Sequence, residues 1–399
     1  MKWPRAMRAP RGTGRGGRQD LLFSWFVLPG AAVAALLLGA LLMLAFGANP
    51  LTGYHALITG AFAGTYALTS TAVKAVPLLL VGAGICIAFR ANMLNIGGEG
   101  QIAMGGLAAA TTALAVPGLP AVVLVPLVLL AGAVGGGIWG AIPGAFKAYL
   151  NVNEILSTIM LNLVAVQLMN YLLSGPLVAP SGYAVGGLIP QTRLLSRNSW
   201  LPTLIAGTQL HLGVLIAVLL AVAVYVLLWR TSLGLRIRAV GLSREASRYA
   251  GMSVRPTMTL AMTLAGALSG IAGAMLVFGS VSHRMVTDGT LTGFTGNAGF
   301  NGIVVALFAG LNPLWTIVTA FLFAGLLVGG TSMQVVTGVP SDLVTAFNGL
   351  VVVLVVSVEY LRRRARTRAR AAVTGATAAV TNGPDVRRAA DGERKEVSP

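Results

Sequence analysis

Again and again the residues of this chain fall into apolar runs of about twenty, the length an α-helix needs to cross a hydrocarbon layer roughly 30 Å thick. The runs are Leu21 to Phe46, Tyr66 to Phe89, Ile96 to Val116, Ala121 to Phe146, Glu154 to Leu173 and His211 to Trp229, then Thr257 to Phe278, Ala298 to Gly310, Leu314 to Gly330 and Leu343 to Tyr360. Ala298 to Gly310 is the short one. Hydrophobic residues make up 56% of the 399 and charged ones 10%, against roughly a quarter charged in ordinary soluble domains. A fold surrounded by water could not cover that much apolar surface. The chain therefore reads as an all-α polytopic membrane bundle of about ten transmembrane helices, and its 51 glycines suit helices whose backbones approach closely.

The first run is too long for the ~7 to 15 apolar residues of a secretory signal and is expected to be an uncleaved helix. Cys86 is the single cysteine, so an intramolecular disulfide is excluded. The net charge of +17 resembles a nucleic-acid signal only until its residues are located. Six of the 28 Lys and Arg lie in residues 1–20, six in 230–255 and ten in 362–399. Ten crossings put all three segments on one side, which the positive-inside rule makes the cytoplasm, with both termini there. Arg90 and Lys147 then lie inside, Arg193, Arg197 and Arg284 outside, and Lys74 near the outer end of its helix. Anchoring to anionic lipid accounts for the charge without a nucleic-acid partner. The organisation expected is a basic cytoplasmic tail at 1–20, a membrane domain at 21–361 and a basic, disordered tail at 362–399.

Polar side chains at membrane depth are costly and generally face a cavity or a partner. They gather in Asn95-Ile96-Gly97-Gly98-Glu99-Gly100-Gln101, where the glycines break a continuous helix. Asn297-Ala298-Gly299-Phe300-Asn301-Gly302 repeats the pattern Asn-x-Gly-x-polar-Gly, in a run of opposite direction, as an inverted repeat with broken or re-entrant segments would. Two readings stand: Asn95, Glu99, Gln101, Asn297 and Asn301 line a translocation path, or they cap half-helices. Glu99 has a third possibility, an ion pair with Arg90. Asn153 reads as an N-cap with Glu154 in the first turn behind it, and Asn162 one face further on is another pathway candidate. His55, His211 and His283 are scattered without acidic or thiol neighbours at ligand spacing, so no metal site is expected. No catalytic constellation and no G-x-x-x-x-G-K-[ST] phosphate loop is visible. If ATP drives this chain, the ATPase is another chain. Between Arg230 and Pro256, Ser243 to Tyr249 reads as a short capped helix that stops at Gly251.

Four stretches carry a family resemblance. They are Phe89-Arg90-Ala91-Asn92-Met93-Leu94-Asn95-Ile96-Gly97-Gly98-Glu99-Gly100-Gln101, Asn153-Glu154-Ile155-Leu156-Ser157-Thr158-Ile159-Met160-Leu161-Asn162, Arg238-Ala239-Val240-Gly241 with Ala246 and Tyr249-Ala250-Gly251, and Gly299-Phe300-Asn301-Gly302-Ile303-Val304-Val305-Ala306-Leu307. In this order, across about residues 60 to 361, they resemble the branched-chain amino acid and monosaccharide permeases of bacterial ATP-binding cassette (ABC) importers, in particular the longer permease of nucleoside and simple-sugar systems. The resemblance implies a multi-pass protein of the bacterial cell membrane that is not itself an enzyme and carries no cofactor. ATP and Mg²⁺ would be bound by partner ATPase subunits. A second permease chain and an extracytoplasmic solute-binding protein would complete the assembly, and solute would pass by alternating access. It implies an ATPase-coupling region at Arg238, Gly241, Arg244, Glu245, Ala246, Tyr249 and Gly251. Ser247 departs there from the older E-A-A-x-x-x-G signature of other importers. An ion-coupled secondary transporter is the alternative.

Overall fold

The computed structural model describes residues 33, 36–180, 189–290, 292–340, 346 and 349. Those residues form helices and loops, with two isolated β-bridges, Gln191 to Val286 and Thr203 to His211. Contacts divide the chain into two units; the larger runs from Met43 to Thr345 and holds everything below. Helix α1, Leu36–Ala45, crosses the boundary between them. The expectations for residues 1–20, for 362–399, and for all of Leu343 to Tyr360 except Ala346 and Gly349 lie outside the described residues.

The unit continues with α2 (Pro50–Phe62), α3 (Gly64–Arg90), α4 (Gly98–Ala115), α5 (Ala121–Leu150), α6 (Glu154–Ser174) and α7 (Gly213–Arg230). After these come α8 (Ser232–Leu242), α9 (Arg244–Tyr249), α10 (Val254–Phe278), α11 (Ala298–Phe308) and α12 (Pro313–Thr337). Among the described residues six helices, α3, α5, α6, α7, α10 and α12, are long and apolar enough to cross a membrane, or up to seven if α1 and α2 count as one bent span. Two expected runs fall outside this set, α4 because its glycines, Glu99 and Gln101 make it less apolar and α11 because it is short. The Ile96 to Val116 run becomes α4, which the glycines and Asn95 delay to Gly98, and Ala298 to Gly310 becomes the 11-residue α11. Helix α2 was not read from the sequence at all. Asn49 caps it, accepting a hydrogen bond from the Leu51 N–H at 2.9 Å, and Pro50 sits where its missing N–H costs nothing.

Helices α3 and α10 are the buried axis of the unit. On one side α5 and α4 pack against α10; on the other α12 and α11 pack against α3. The α5–α10 contact is made of backbone. Gly132, Gly136, Gly140 and Gly144 recur every fourth residue along α5 and meet Gly266, Gly270 and the chain around Met262 on α10 so closely that a Cβ at Gly140 would lie 2.6 Å from the Met262 carbonyl oxygen. Small residues at that spacing let two membrane helices touch along their length.

Basic residues mark one end of the bundle. Arg90 ends α3, Lys147 lies in the last turn of α5 and bonds Glu154 at 2.8 Å, Arg230 ends α7, and Arg238 and Arg244 follow on α8 and α9. At the opposite end Ser196 and Asn198 hold the α4–α5 turn: Ser196 Oγ donates to the Pro117 carbonyl at 3.0 Å and Asn198 Nδ2 to that of Leu119 at 3.1 Å.

Candidate functional site

After Arg90 the chain turns back into the bundle without helical structure, through Asn92 in the left-handed region (φ 54°), and reaches Gly98 buried. Irregular backbone at such depth survives only when its polar groups find partners in the protein. Here they do. Asn95 Oδ1 accepts from the Gly97 N–H at 3.0 Å, and the Asn95 and Gln101 amides bond reciprocally at 3.1 Å each. Asn162 reaches across from α6: its Oδ1 accepts from the Gly100 N–H at 2.9 Å and its Nδ2 donates to the Ile96 carbonyl at 3.0 Å. Asn95, Glu99, Gln101 and Asn162 are all buried.

The second Asn-x-Gly segment lies against the first. An added Cβ at Gly98 would stand 3.0 Å from the Gly299 Cα, and one at Gly299 would collide with the Glu99 N–H. Glu99 Oε1 accepts from the Phe300 N–H at 3.0 Å. The Glu99 side chain therefore sits in the first turn of its own helix and at the start of α11 as well. Arg90 is engaged elsewhere: its Nη2 donates to the Leu311 carbonyl at 3.3 Å and its guanidinium lies 5.1 Å from the Trp229 ring centre. From their meeting point α4 runs toward the end capped by Ser196 and Asn198, and α11 toward Leu311 and Arg90. Asn297 takes the left-handed backbone (φ 63°) ahead of α11 with no cap bond from its side chain, and the Asn301 N–H donates to the Asn297 carbonyl at 2.9 Å. The structure thus joins Asn95, Gln101 and Asn162 around the 96–100 backbone, ties Glu99 to α11 beside them, and leaves Asn297 and Asn301 at the edge.

The expected coupling residues stand at the basic end. Arg238 lies 6.0 Å from the centre of the same Trp229 ring that Arg90 covers. Gly241 presses on the Arg90 carbonyl so that no Cβ fits between α8 and the end of α3. Ser243 Oγ accepts from the Ala246 N–H at 3.2 Å, which is the cap the sequence predicts, and Gly251 (φ 76°) supplies the stop. Leu242 (89%) and Tyr249 (94%) are almost fully exposed, with Glu245 and Ala246 exposed between them. Asn153 caps α6 as expected, accepting from the Ile155 N–H at 2.9 Å.

At the opposite end a cavity of about 480 Å³ opens among α3, α10, α12 and the residues before α7. None of the six pathway candidates lines it. The sequence reading places Lys74 near the outer end of its helix and sets His211 aside as a metal ligand, without joining them to a site, although Tyr66, Ser70 and Lys74 recur at intervals of four on α3, the spacing of one helix face.

Comparison with known proteins gives a consistent answer. The family described as branched-chain amino acid transport system / permease component matches residues 67–356. The chain is 37% identical to the guanosine ABC transporter permease protein NupP of Bacillus subtilis (strain 168), over 82% of this chain and 91% of that one. It is 34% identical to the glucose ABC transporter permease protein TsgB13 of Haloferax volcanii, over 83% and 87%. It is 32% identical to the nucleoside ABC transporter permease protein NupB of Lactococcus lactis, over 81% and 88%. No solved structure matches it.

Proposed function

The chain belongs to the family of branched-chain amino acid transport system permease components, and on that premise we propose that it is the membrane-spanning permease of an ABC importer for nucleosides or simple sugars. The observation that carries this is the match to a guanosine permease along nine-tenths of that protein's length.

The finer organisation is part of the proposal. ATP and Mg²⁺ are bound by separate ATPase subunits, a second permease chain pairs with this one, and a solute-binding protein delivers solute at the face away from the basic end. That end is cytoplasmic, as are both termini, in a bacterial cell membrane. Alternating access follows because the ATPases and the binding protein each hold one of two arrangements more tightly than the other. The full bundle has about ten crossings and an inverted repeat of α3–α4–α5 and α10–α11–α12. In support, each triplet is long, short, long, and each short helix packs on the other triplet's first helix. Asn95, Gln101 and Asn162 serve the path as its internal caps, Glu99 ties α4 to α11, and Asn297 and Asn301 flank that joint. Arg238, Gly241, Arg244, Glu245, Ala246, Tyr249 and Gly251 form the ATPase-coupling surface, a reading supported by the exposed apolar Leu242 and Tyr249 amid basic residues.

The test is affinity purification of the tagged chain in mild detergent, identification of its companions by mass spectrometry, and ATPase assay with a loaded binding protein. An ATPase with a nucleotide-binding loop and a second permease should co-purify, and loaded binding protein should raise ATP hydrolysis. A chain that purifies alone and moves solute in proteoliposomes under an ion gradient would establish the secondary-transporter alternative instead.

A further inference from the structure

The cavity at the end away from α8 and α9 has a volume within the roughly 300–1,000 Å³ of small-molecule clefts. Its lining is of two kinds. Val76, Pro77, Met275 and Leu327 give apolar wall; Tyr66, Ser70, Lys74, Gln209 and His211 give a short polar stretch. Among the described residues none that lines the cavity is acidic, and Lys74 is the one Lys or Arg there. Lys74 keeps accessible surface within the cavity lining, and a Cβ at Gly296 would stand 3.3 Å from its Nζ.

Several of these groups have unused hydrogen-bonding capacity. Ser70 Oγ is buried without a partner in the protein, a condition that calls for an explanation such as a ligand. Pro77 lies inside α3 and has no N–H to offer the Val73 carbonyl one turn earlier, and both residues line the cavity. His211 is held in one tautomer: its Nδ1 accepts from the Gly213 N–H at 3.1 Å, so Nε2 carries the proton and the ring is a neutral donor. The site therefore offers a lysine, neutral donors and a carbonyl that Pro77 leaves without its usual helical donor, beside an extended apolar wall.

A monosaccharide carries hydroxyls all round and would leave some of them facing Met275, Leu327 and Val76 unpaired. A nucleoside has a flat base whose faces suit such a wall, an acceptor-rich edge and one ribose. We propose that this cavity is the solute site of the transport path and that it takes a neutral nucleoside, with the acceptor edge of the base toward Lys74 and the ribose toward Ser70 and the Val73 carbonyl. The proposal rests on the permease reading above and narrows its substrate.

Cysteine protection tests it. Cys86, the single cysteine of this chain, is buried, so in the assembled complex carrying Thr331→Cys a water-soluble thiol reagent, followed on this chain after the subunits are separated in denaturant, reads the cavity. Ser280→Cys, also in the lining, replaces it if that variant fails to assemble. Guanosine should slow labelling severalfold and glucose should leave it unchanged, while Lys74→Met should raise the half-saturating guanosine concentration for uptake about tenfold. Protection by glucose alone overturns the solute class. Labelling protected by neither solute, in a variant that still imports guanosine, overturns the cavity assignment and leaves the importer standing. Protection by guanosine in a complex whose uptake needs no ATP supports the cavity and removes the importer.

Discussion

The side-chain amide of Asn162 satisfies two backbone groups that the break before α4 leaves exposed, the Gly100 N–H and the Ile96 carbonyl. Asn162→Ala would leave both buried and unpaired, at about 1–3 kcal/mol each. The expected result is a melting temperature in detergent several degrees below wild type and poor recovery of the complex. A variant that keeps the wild-type melting temperature and loses only uptake would put Asn162 in contact with solute instead. A second prediction concerns His211, whose ring burial, with a smaller push from His283, brings it down to about 4. Its folded value is below the unfolded 6.5, so the stability it contributes is complete above pH 6.5 and is lost as pH falls from there toward 4. Melting temperature followed across that window should decline in wild type and decline less in His211→Gln. At this scale the sequence was informative about residue type and silent about partners. Asn95, Glu99, Gln101 and Asn162 stand out because a polar group in an apolar run is conspicuous. The bond from Asn162 joins residues more than sixty apart, which no local pattern encodes.

Among the elements, α9 was legible before the structure because its signals are local: a serine cap, a charged first turn and Gly251. Helix α2 was not, since Thr52, Tyr54, His55 and Thr59 dilute a 13-residue helix below the contrast of a membrane run. The cavity had one readable face, Tyr66, Ser70 and Lys74 on α3, but Gln209, His211 and Ser280 come from loops and helix ends brought in by folding. Exposure separates two substitutions in the coupling region. Tyr249→Ala removes an exposed ring and should lower ATPase recovery and uptake severalfold with the melting temperature unchanged. Gly241→Ala drives a methyl group into the Arg90 carbonyl and should lower the melting temperature first. Equal melting temperatures for the two variants would contradict that packing.

For the molecule as a whole, the sequence carried the class of fold and the basic end, because run length and charge placement are sums over many residues and tolerate local error. The number of crossings was less secure, since α4 and α11 begin inside the bundle and a hydropathy count cannot tell a half-helix from a span. Reporter fusions test the orientation. Alkaline phosphatase joined after Arg197 should be active and after Arg244 inactive; the reverse would invert the bundle. One contact then acquires a mechanical sense. With no side chain at Gly241, α8 bears directly on the last peptide of α3, and the other half of α3, beyond Pro77, is a wall of the cavity. If the loop couples to an ATPase and the cavity holds solute as proposed, α3 would act as a connecting rod with a joint in it: load placed on the loop at one end would arrive at the other as a change in the room left for the solute.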